Sequence, residues 1–227
     1  LLDSEPVIKL FKEFEKFDVV CVARLHSGAR QIFSGKPVKT LADFKNFKMR
    51  STASKIHNGL LKAEGMNPTP VPFAETYTAL QQGVVDGVDV DVPQAVILNF
   101  PTVTDVLFLN AHTMLGQPVM ANKTWWEKEL KGEDKVIFDA AMAELIRYVR
   151  ENYVAEEEKY IQKVKDMGKT VIYPTEEELK LWREATKDVH KAFAKQIPEE
   201  LVQSIRAVAV PSPHLPLPTK GQRSRCT

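Results

Sequence analysis

The sequence predicts an α/β fold with a mixed or parallel sheet, because short β-branched apolar runs alternate along the chain with segments of helical periodicity. Residues 133–167 carry a long helical pattern without Pro or Gly. Apolar residues form 44% of the chain and charged residues 27%, which is ordinary for a globular protein with a sizeable core. The 227 residues are enough for one large domain or two small ones.

The N-terminal part predicts a helix followed by three strands. Ser4 is a suitable N-cap, and Pro6 suits the first helical turn. The runs "DVVCVARL" and "ARQIFSG" predict two separate strands, and "NFKMRST" predicts a third that ends at Arg50. Before the third strand, Thr40 and Asp43 have the spacing of a capping box for a short helix in "TLADF".

The central part predicts a helix over 54–64 and then a short extended segment, since prolines in "GMNPTPVPF" permit only an edge-like strand. A helix over 73–82, a C-terminal turn at Gly83 and a strand over 84–90 follow. We expect "VPQAVILNF" to be a short apolar helix. Two strands, "VTDVLFLN" and "TMLGQPVMAN", and a short helix, "WWEKEL", complete this part.

The C-terminal part is dominated by the helix predicted over 133–167. Its apolar residues fall on one stripe from Ile137 to Met167, at steps of three, four or seven. At 1.5 Å per residue this helix is about 50 Å long, so we expect it to contact two lobes. The strand "GKTVIYP", a helix over 176–195 and a last helix beginning at Pro198 follow. The Pro-rich tail 209–227 has no periodicity and is predicted to be disordered.

The charge and targeting features exclude some classes of protein. Lys plus Arg is 31 and Asp plus Glu is 30, which argues against nucleic acid or a membrane surface as the main partner. No apolar run approaches the ~20 residues of a membrane span. The first residues do not follow a signal-peptide pattern and the first is Leu, so we expect a processed, trimmed or partial sequence. A disulfide between Cys21 and Cys226 is possible but not favoured by their separation.

No enzyme, cofactor or metal motif stands out in the chain. The segment "SGKP" lacks the spacing of a phosphate loop, the five histidines are scattered, and no nucleophile elbow is present. The run "VDGVDVD" resembles a calcium loop only superficially, because it lacks the twelfth-position Glu. The sequence therefore favours a non-enzymatic protein without a cofactor.

Arg30 and Arg50 are the candidate binding residues, since each lies near the end of a predicted strand. The planar fork of Arg suits a carboxylate, to which it offers two parallel hydrogen bonds. Surface arginines at strand ends remain the alternative. For the aspartates of "VDGVDVD" the alternative is a turn and an exposed strand face, and for Phe73 it is ordinary core packing.

The segments "KPVKTLADFKNFKMRSTAS" and "GMNPTPVPFAETYTALQQGVVDG", with "NKTW" before the long helix, resemble the solute-binding proteins of tripartite ATP-independent periplasmic (TRAP) transporters, dicarboxylate-binding type. The likeness runs from about residue 18 to about residue 205. It implies a two-lobed, periplasmic-binding-protein-like fold (type II-like) with a long helix that crosses both lobes. It also implies a periplasmic receptor that binds a small carboxylate, sugar acid, or keto or hydroxy acid and delivers it to the membrane permease.

The resemblance also assigns site residues. It implies that Arg50 clamps the ligand carboxylate, that Arg30 supports it, and that Phe73 forms a wall of the cleft. Val90 stands where many relatives have an Asn that contacts the carboxylate. Either the clamp is lighter here, or Asp91 takes an orienting role and suits ligand hydroxyls, because an anion would be repelled by it.

The resemblance further implies that the first third of the family pattern is missing before residue 1. We expect residues 1–208 to form the solute-binding region, with discontinuous lobes that change near 25–35 and 100–135. We also expect a monomer, in which Val20, Val22 and Ile32 lose neighbours and face water. Two alternatives stay open: an enzyme or sensor on the same architecture, and a truncated fragment that binds nothing.

Overall fold

The computed structural model describes residues 1–208, so the predicted disorder of 209–227 and the position of Cys226 lie outside the described residues. The strands are β1 (Val19–Ser34), β2 (Lys48–Ser51), β3 (Asn67–Pro70), β4 (Gly87–Val90), β5 (Val106–Asn122) and β6 (Thr170–Ile172). The α-helices are α1 (Glu5–Lys12), α2 (Lys55–Ala63), α3 (Thr76–Gln81), α4 (Val92–Ile97), α5 (Gly132–Asp166), α6 (Glu176–Thr186) and α7 (Glu199–Val208).

The six strands form one mixed sheet in the order β3-β2-β4-β1-β5-β6. Strand β2 pairs in parallel with both β3 and β4, and β6 pairs in parallel with β5. Strand β1 runs antiparallel to both of its neighbours, β4 and β5. The prediction of an α/β protein with a mixed sheet is confirmed.

The four strands predicted over the two long apolar stretches are in fact two, β1 and β5, so this prediction is wrong. Shifts in the β1–β5 register at three places absorb the residues that break the apolar pattern. Gly28 lies at one shift with a φ of +95°, and a Cβ there would lie 1.4 Å from the hydroxyl oxygen of Tyr153. Backbone pairing thus continues through a point where the side-chain pattern suggested a loop.

Two regions of the molecule differ in how these strands are covered. The sheet region comprises Ile32–Ser34 of β1, Val106–Leu109 of β5, strands β2, β3, β4 and β6, and the helices on both faces. The ribbon region comprises 19–26 of β1 and 116–122 of β5, which pair with each other and with no third strand among residues 1–208. Helix α1 and the first half of α5 also belong to the ribbon region.

Both faces of the sheet region carry a buried apolar cluster. Phe33, Val88 and Leu107 point to the face covered by α3, α4 and α5. Ile32 and Phe108 point to the opposite face, which α2 and α6 cover. Because successive side chains of a strand alternate between faces, one strand supplies both clusters. The expectation that Ile32 faces water is wrong, since it is 0% exposed between β4 and β5.

The boundaries of most elements are close to the predicted ones, but two helices and one strand differ. The predicted helix 73–82 begins as a 3-10 turn, Phe73–Glu75, before α3. The strand predicted from 84 begins only at Gly87, because the amides of Val84 and Val85 bond back to the carbonyl of Ala79. The helix predicted over 176–195 ends at Thr186, and a 3-10 segment, Val189–Phe193, follows it.

The long helix predicted over 133–167 is confirmed as α5, Gly132–Asp166. Its second half packs on the sheet region, where Ile161 and Val164 are buried. Its first half reaches the ribbon region, and near its midpoint Arg150 forms an ion pair of 2.7 Å with Asp3, which lies just before α1. The predicted apolar stripe is buried only at the sheet end, since Ile137 is 57% exposed.

Across residues 1–208, none of the helices combines the length and the apolar character that a bilayer span requires.

Candidate functional site

Arg50 lies near the carboxyl end of β2, at the edge where the parallel strands β3 and β4 also end. Its side chain is held in place by the two segments that follow. Nε donates a hydrogen bond of 3.0 Å to the carbonyl of Val71, and the guanidinium carbon lies 5.1 Å from the centre of the Phe73 ring. Phe73 is itself fixed edge-to-face on Phe100, with 6.1 Å between ring centres.

The charge of Arg50 has no paired carboxylate among residues 1–208. The residue is only 4% exposed. Burial, followed by the nearby charge of Arg30, lowers the pKa of Arg50 from its usual value. The charge of Asp89 opposes this shift but forms no direct ion pair with Arg50, so this buried guanidinium is suited to receive an anion.

Arg30 differs from Arg50 because it is already paired with Asp89. Nε lies 2.8 Å from one carboxylate oxygen of Asp89, and Nη2 lies 3.2 Å from the other. Nη2 also donates to the Asp89 carbonyl at 2.7 Å. These contacts neutralise Arg30 and fix its orientation beside β4, so Arg30 has little charge left for a ligand.

Asp89 is the centre of a buried ionic network. Its Oδ2 lies 2.9 Å from Nε2 of His57 and 3.4 Å from Nε2 of His112. Nδ1 of His112 in turn lies 2.9 Å from Glu64. Asp89 is 0% exposed, so these partners replace the water that an isolated carboxylate would need. The network joins β1, β4, β5 and α2 behind the sheet edge.

The network shifts the pKa values of its members. Burial disfavours the charged form of His112, but Glu64 and Asp89 outweigh this effect and raise the pKa of His112 to about 9. Burial also acts against the Asp89 carboxylate, but hydrogen bonds from His112 and His57 and the charge of Arg30 hold its pKa far below the usual range. Both groups are therefore charged at neutral pH.

Sequence reasoning missed this network. The histidines and Glu64 are distant from Asp89 along the chain, and no spacing rule connects them. The alternative of an exposed strand face for Asp86, Asp89 and Asp91 does not hold, because they are 7%, 0% and 4% exposed. The one available signal was the alternation "VDVD", in which Val88 and Val90 face one cluster and Asp89 the opposite side.

The remaining predicted site residues have distinct environments. Val90 is 1% exposed and packs in the apolar cluster under α5. Asp91 begins α4 as its N-cap, and its carboxylate accepts a hydrogen bond of 2.9 Å from the amide of Gln94. Burial raises the pKa of Asp91. Asp91 thus lies at the same edge of the sheet as Arg50, directly after β4.

A cavity of about 760 Å³ opens beside the network. Arg30 and His57 reach it from the sheet and α2, and Thr52 and Ser54, just after β2, form part of its wall. This volume lies within the range of small-molecule sites. Arg50 and Phe73 are not among its lining residues, so the two arginines face different parts of this edge.

Comparisons with known proteins agree on one kind of protein. The family model described as bacterial extracellular solute-binding protein, family 7, matches residues 1–196. The sialic acid-binding periplasmic protein of Vibrio cholerae is 28% identical over 86% of this chain and 59% of its own length. The C4-dicarboxylate-binding periplasmic protein of Rhodobacter capsulatus is 30% identical over 87% of this chain and 60% of its own.

The fold agrees as well. A TRAP periplasmic solute binding protein from Sulfurospirillum deleyianum, solved with bound succinate, superposes with a TM-score of 0.81 at 30% identity. The match covers 91% of this chain and 68% of that one. For the two curated periplasmic proteins named above, the chain spans about 60% of their length.

Proposed function

Because the chain belongs to family 7 of the bacterial extracellular solute-binding proteins, we propose that it is a receptor that binds a small organic acid and delivers it to a TRAP permease. The relatives are named periplasmic binding proteins, and periplasmic residence follows for this chain. It acts by binding and release and not as an enzyme. Its partners are the ligand and the membrane subunits of the permease, and it works as a monomer.

The observation that carries this proposal is the state of Arg50. Its guanidinium is buried, oriented by Val71 and Phe73, and has no carboxylate partner within residues 1–208. A ligand carboxylate would supply the missing charge through two parallel hydrogen bonds. Such a contact is favourable here because the cost of burying the cation is already part of the folded state.

The other predicted site residues take supporting roles in this proposal. Arg30 positions the edge of β4 through Asp89 and does not itself clamp the ligand. Phe73 holds the plane of the Arg50 guanidinium and forms the adjacent wall. Asp91 accepts a hydrogen bond from a ligand hydroxyl, and Val90 contributes to the core beneath the site.

The test begins with a thermal-shift screen of organic acids on the 227-residue chain, followed by calorimetry with the acid that stabilises it most. Arg50→Lys keeps the charge but removes the fork. We expect it to weaken binding by about 1.5–3 kcal/mol, the range for hydrogen bonds to charged groups. Arg147→Lys is the matched control, since Arg147 lies exposed on α5 and pairs with Glu144 and Glu151.

Three outcomes would contradict the proposal. If Arg50→Lys binds the selected acid as tightly as the parent chain, Arg50 is not the carboxylate site. If no organic acid raises the melting temperature, the receptor function itself fails for this chain. Conversion of the bound acid in a turnover assay would favour the enzyme alternative.

A further inference from the structure

The cavity beside the Asp89 network has a wall of basic side chains that does not include the proposed carboxylate site. Arg183, Lys187 and Arg206 line the cavity from α6, the residue that follows it and α7. We call these three residues the basic wall. Among residues 1–208, no Asp or Glu lines the cavity, and Arg50 does not line it either. A concave surface with charge of one sign concentrates ligands of the opposite sign.

Contacts among α2, α6 and α7 fix the place of the basic wall. Arg183 and Lys187 are four residues apart, so they project from the same side of the end of α6. Nη2 of Arg206 donates to the carbonyl oxygen of Lys187 at 3.4 Å, which joins α7 to this end of α6. The segment between these helices lies against α2, since a Cβ on Gly59 would be only 3.2 Å from Cε2 of Phe193. The basic wall and α2 therefore border the same cavity.

The N-terminus of α2 is a second positive element of the cavity. Ser54 caps this helix and accepts a hydrogen bond of 3.4 Å from the amide of His57. The first turn holds no acidic residue, so the positive end of the helix dipole is not neutralised within α2. Backbone N–H groups at such an end are suited to phosphate oxygens. Thr52, Ser54 and Thr113 add hydroxyl groups to the lining.

The remainder of the lining offers an apolar surface. The apolar lining residues are Ile56, Leu60, Met114, Leu115 and Val189. The volume of about 760 Å³ is far larger than a phosphate ion and lies within the range of small-molecule sites. A phosphate group on the basic wall would therefore leave room for an organic group against these apolar side chains.

The present partners of the basic wall can be replaced by a ligand. Arg183 pairs with Glu176 and Lys187 with Glu184, and the side chains in these pairs are 55–68% exposed. Exposed pairs of this kind are weak and are readily exchanged for another anion. The basic wall differs in this respect from Arg30, whose partner Asp89 is fully buried.

We propose that the cavity is a second site, independent of Arg50, that binds the phosphate group of a phosphate ester. A carboxylate has two oxygens in one plane, whereas a phosphate monoester has three acceptor oxygens around phosphorus and a charge of about −1.5 to −2 at neutral pH. Donors reach the cavity from α2, α6 and α7, so three oxygens that point in different directions use more of them. This site is additional to the carboxylate site of the proposed function and does not depend on it.

The experiment compares two aromatic dianions, phenyl phosphate and phthalate, at about pH 8, where the phosphate carries two negative charges. Calorimetry on the 227-residue chain measures both affinities and that of inorganic phosphate. Lys187→Gln/Arg206→Gln removes two charges of the basic wall. Arg183→Gln removes the third and leaves the contact between α6 and α7 intact. Arg147→Gln is the matched control on α5, Arg50→Lys tests independence from the carboxylate site, and circular dichroism checks folding.

We expect phenyl phosphate to bind about tenfold more tightly than phthalate, and the double variant to weaken its binding by at least about tenfold. Arg183→Gln should weaken it by about fivefold. Arg147→Gln and Arg50→Lys should leave it unchanged. Equal affinity for the two dianions, or phenyl phosphate binding that both wall variants keep, would overturn the proposal. So would an equal loss in Arg50→Lys, because the two sites would then be one.

A second arm identifies the source of the phosphate, since phosphate monoesters also occur on lipid headgroups. Sedimentation is measured with phosphatidylcholine vesicles that contain or lack phosphatidic acid. Binding that requires phosphatidic acid and is lost in the double variant would assign the site to a headgroup. Phenyl phosphate binding without vesicle binding would assign it to a soluble ester. Absence of both would defeat the second site and leave the proposed function intact, because binding of an organic acid through Arg50 is measured separately.

Discussion

The sheet region and the ribbon region use the same two strands, yet they differ sharply in burial. In the sheet region, Ile32 of β1 and Phe108 of β5 are both 0% exposed. In the ribbon region, Val20 and Val22 are only half-buried, and nearby Phe17 is 78% exposed. Segment 19–26 of β1 is nonetheless rich in apolar residues, as Ile32–Ser34 is. Burial therefore depends on whether helices and neighbouring strands cover them.

The same contrast decides where charges can be held. In the sheet region, layers on both faces exclude water. The buried Asp89 carboxylate therefore needs charged or hydrogen-bonding partners, which are Arg30, His57 and His112. In the ribbon region, ion pairs such as Arg150 with Asp3 remain exposed to solvent. The shifted pKa values of Asp89 and His112 thus depend on partners that the covered region brings together.

Among the mutations that test this contrast, the largest effect is expected from removing an aromatic ring from the core of the sheet region. Phe108 packs on Phe44 and Trp182, with ring centres 5.4 and 5.7 Å away. We expect Phe108→Ala to lower the free energy of unfolding by about 3–5 kcal/mol, because it leaves a cavity between two layers. Phe17→Ala, beside the ribbon region, should change the free energy of unfolding by less than about 0.5 kcal/mol. Urea denaturation measures both, and equal losses would break the comparison.

The next effect is a pH dependence that belongs to the sheet region. The folded pKa of His112, about 9, lies above its ordinary value, so its protonation stabilises the folded chain fully below about pH 6.5. This contribution is lost as the pH rises through 9. We expect the free energy of unfolding to fall by about 3 kcal/mol between pH 6.5 and 10.

The control for this titration is His112→Gln, which removes the titrating ring and should flatten the loss over the same pH interval. The variant will also be less stable at neutral pH, since Asp89 and Glu64 lose a charged partner. The informative quantity is therefore the slope of the free energy of unfolding against pH, and not the absolute stability at one pH. Parallel slopes in parent and variant would show that His112 does not control this dependence.

The smallest effect concerns the aromatic cluster of the ribbon region. Phe138 lies edge-to-face on Trp125 and Trp126, with ring centres 5.8 and 6.2 Å away. It is 42% exposed, so we expect Phe138→Ala to cost about 1 kcal/mol. Native-state hydrogen exchange should show faster exchange in β1 at 19–26 and unchanged exchange at Ile32–Ser34. Faster exchange in both segments would mean that the regions unfold together.

Local patterns were enough to predict several parts of the protein. The α/β class and the long helix α5 follow from periodicity, which depends on near neighbours in the chain. Arg50 stood out because a lone cation at a strand end has a direct chemical use. Motif resemblance supplied the family, and the match over residues 1–196 shows it.

Other features could not be read from local patterns. The continuity of β1 and β5 depends on backbone pairing, which tolerates Gly28 and the register shifts around it. The partners of Asp89 come from β1, α2 and β5, and their meeting requires the complete sheet order. The roles of Val90 and Asp91 were uncertain because the face that each side chain occupies depends on strand register.

The sequence by itself determined the class of fold, the long helix, the family and the candidate arginine at the end of β2. Only the tertiary structure decided that Arg30 is neutralised while Arg50 has no carboxylate partner within residues 1–208. The physical reason is that the effective charge of a side chain depends on burial and on partners distant in sequence. Both are set when the strands take their order in the sheet and the helices close over its faces.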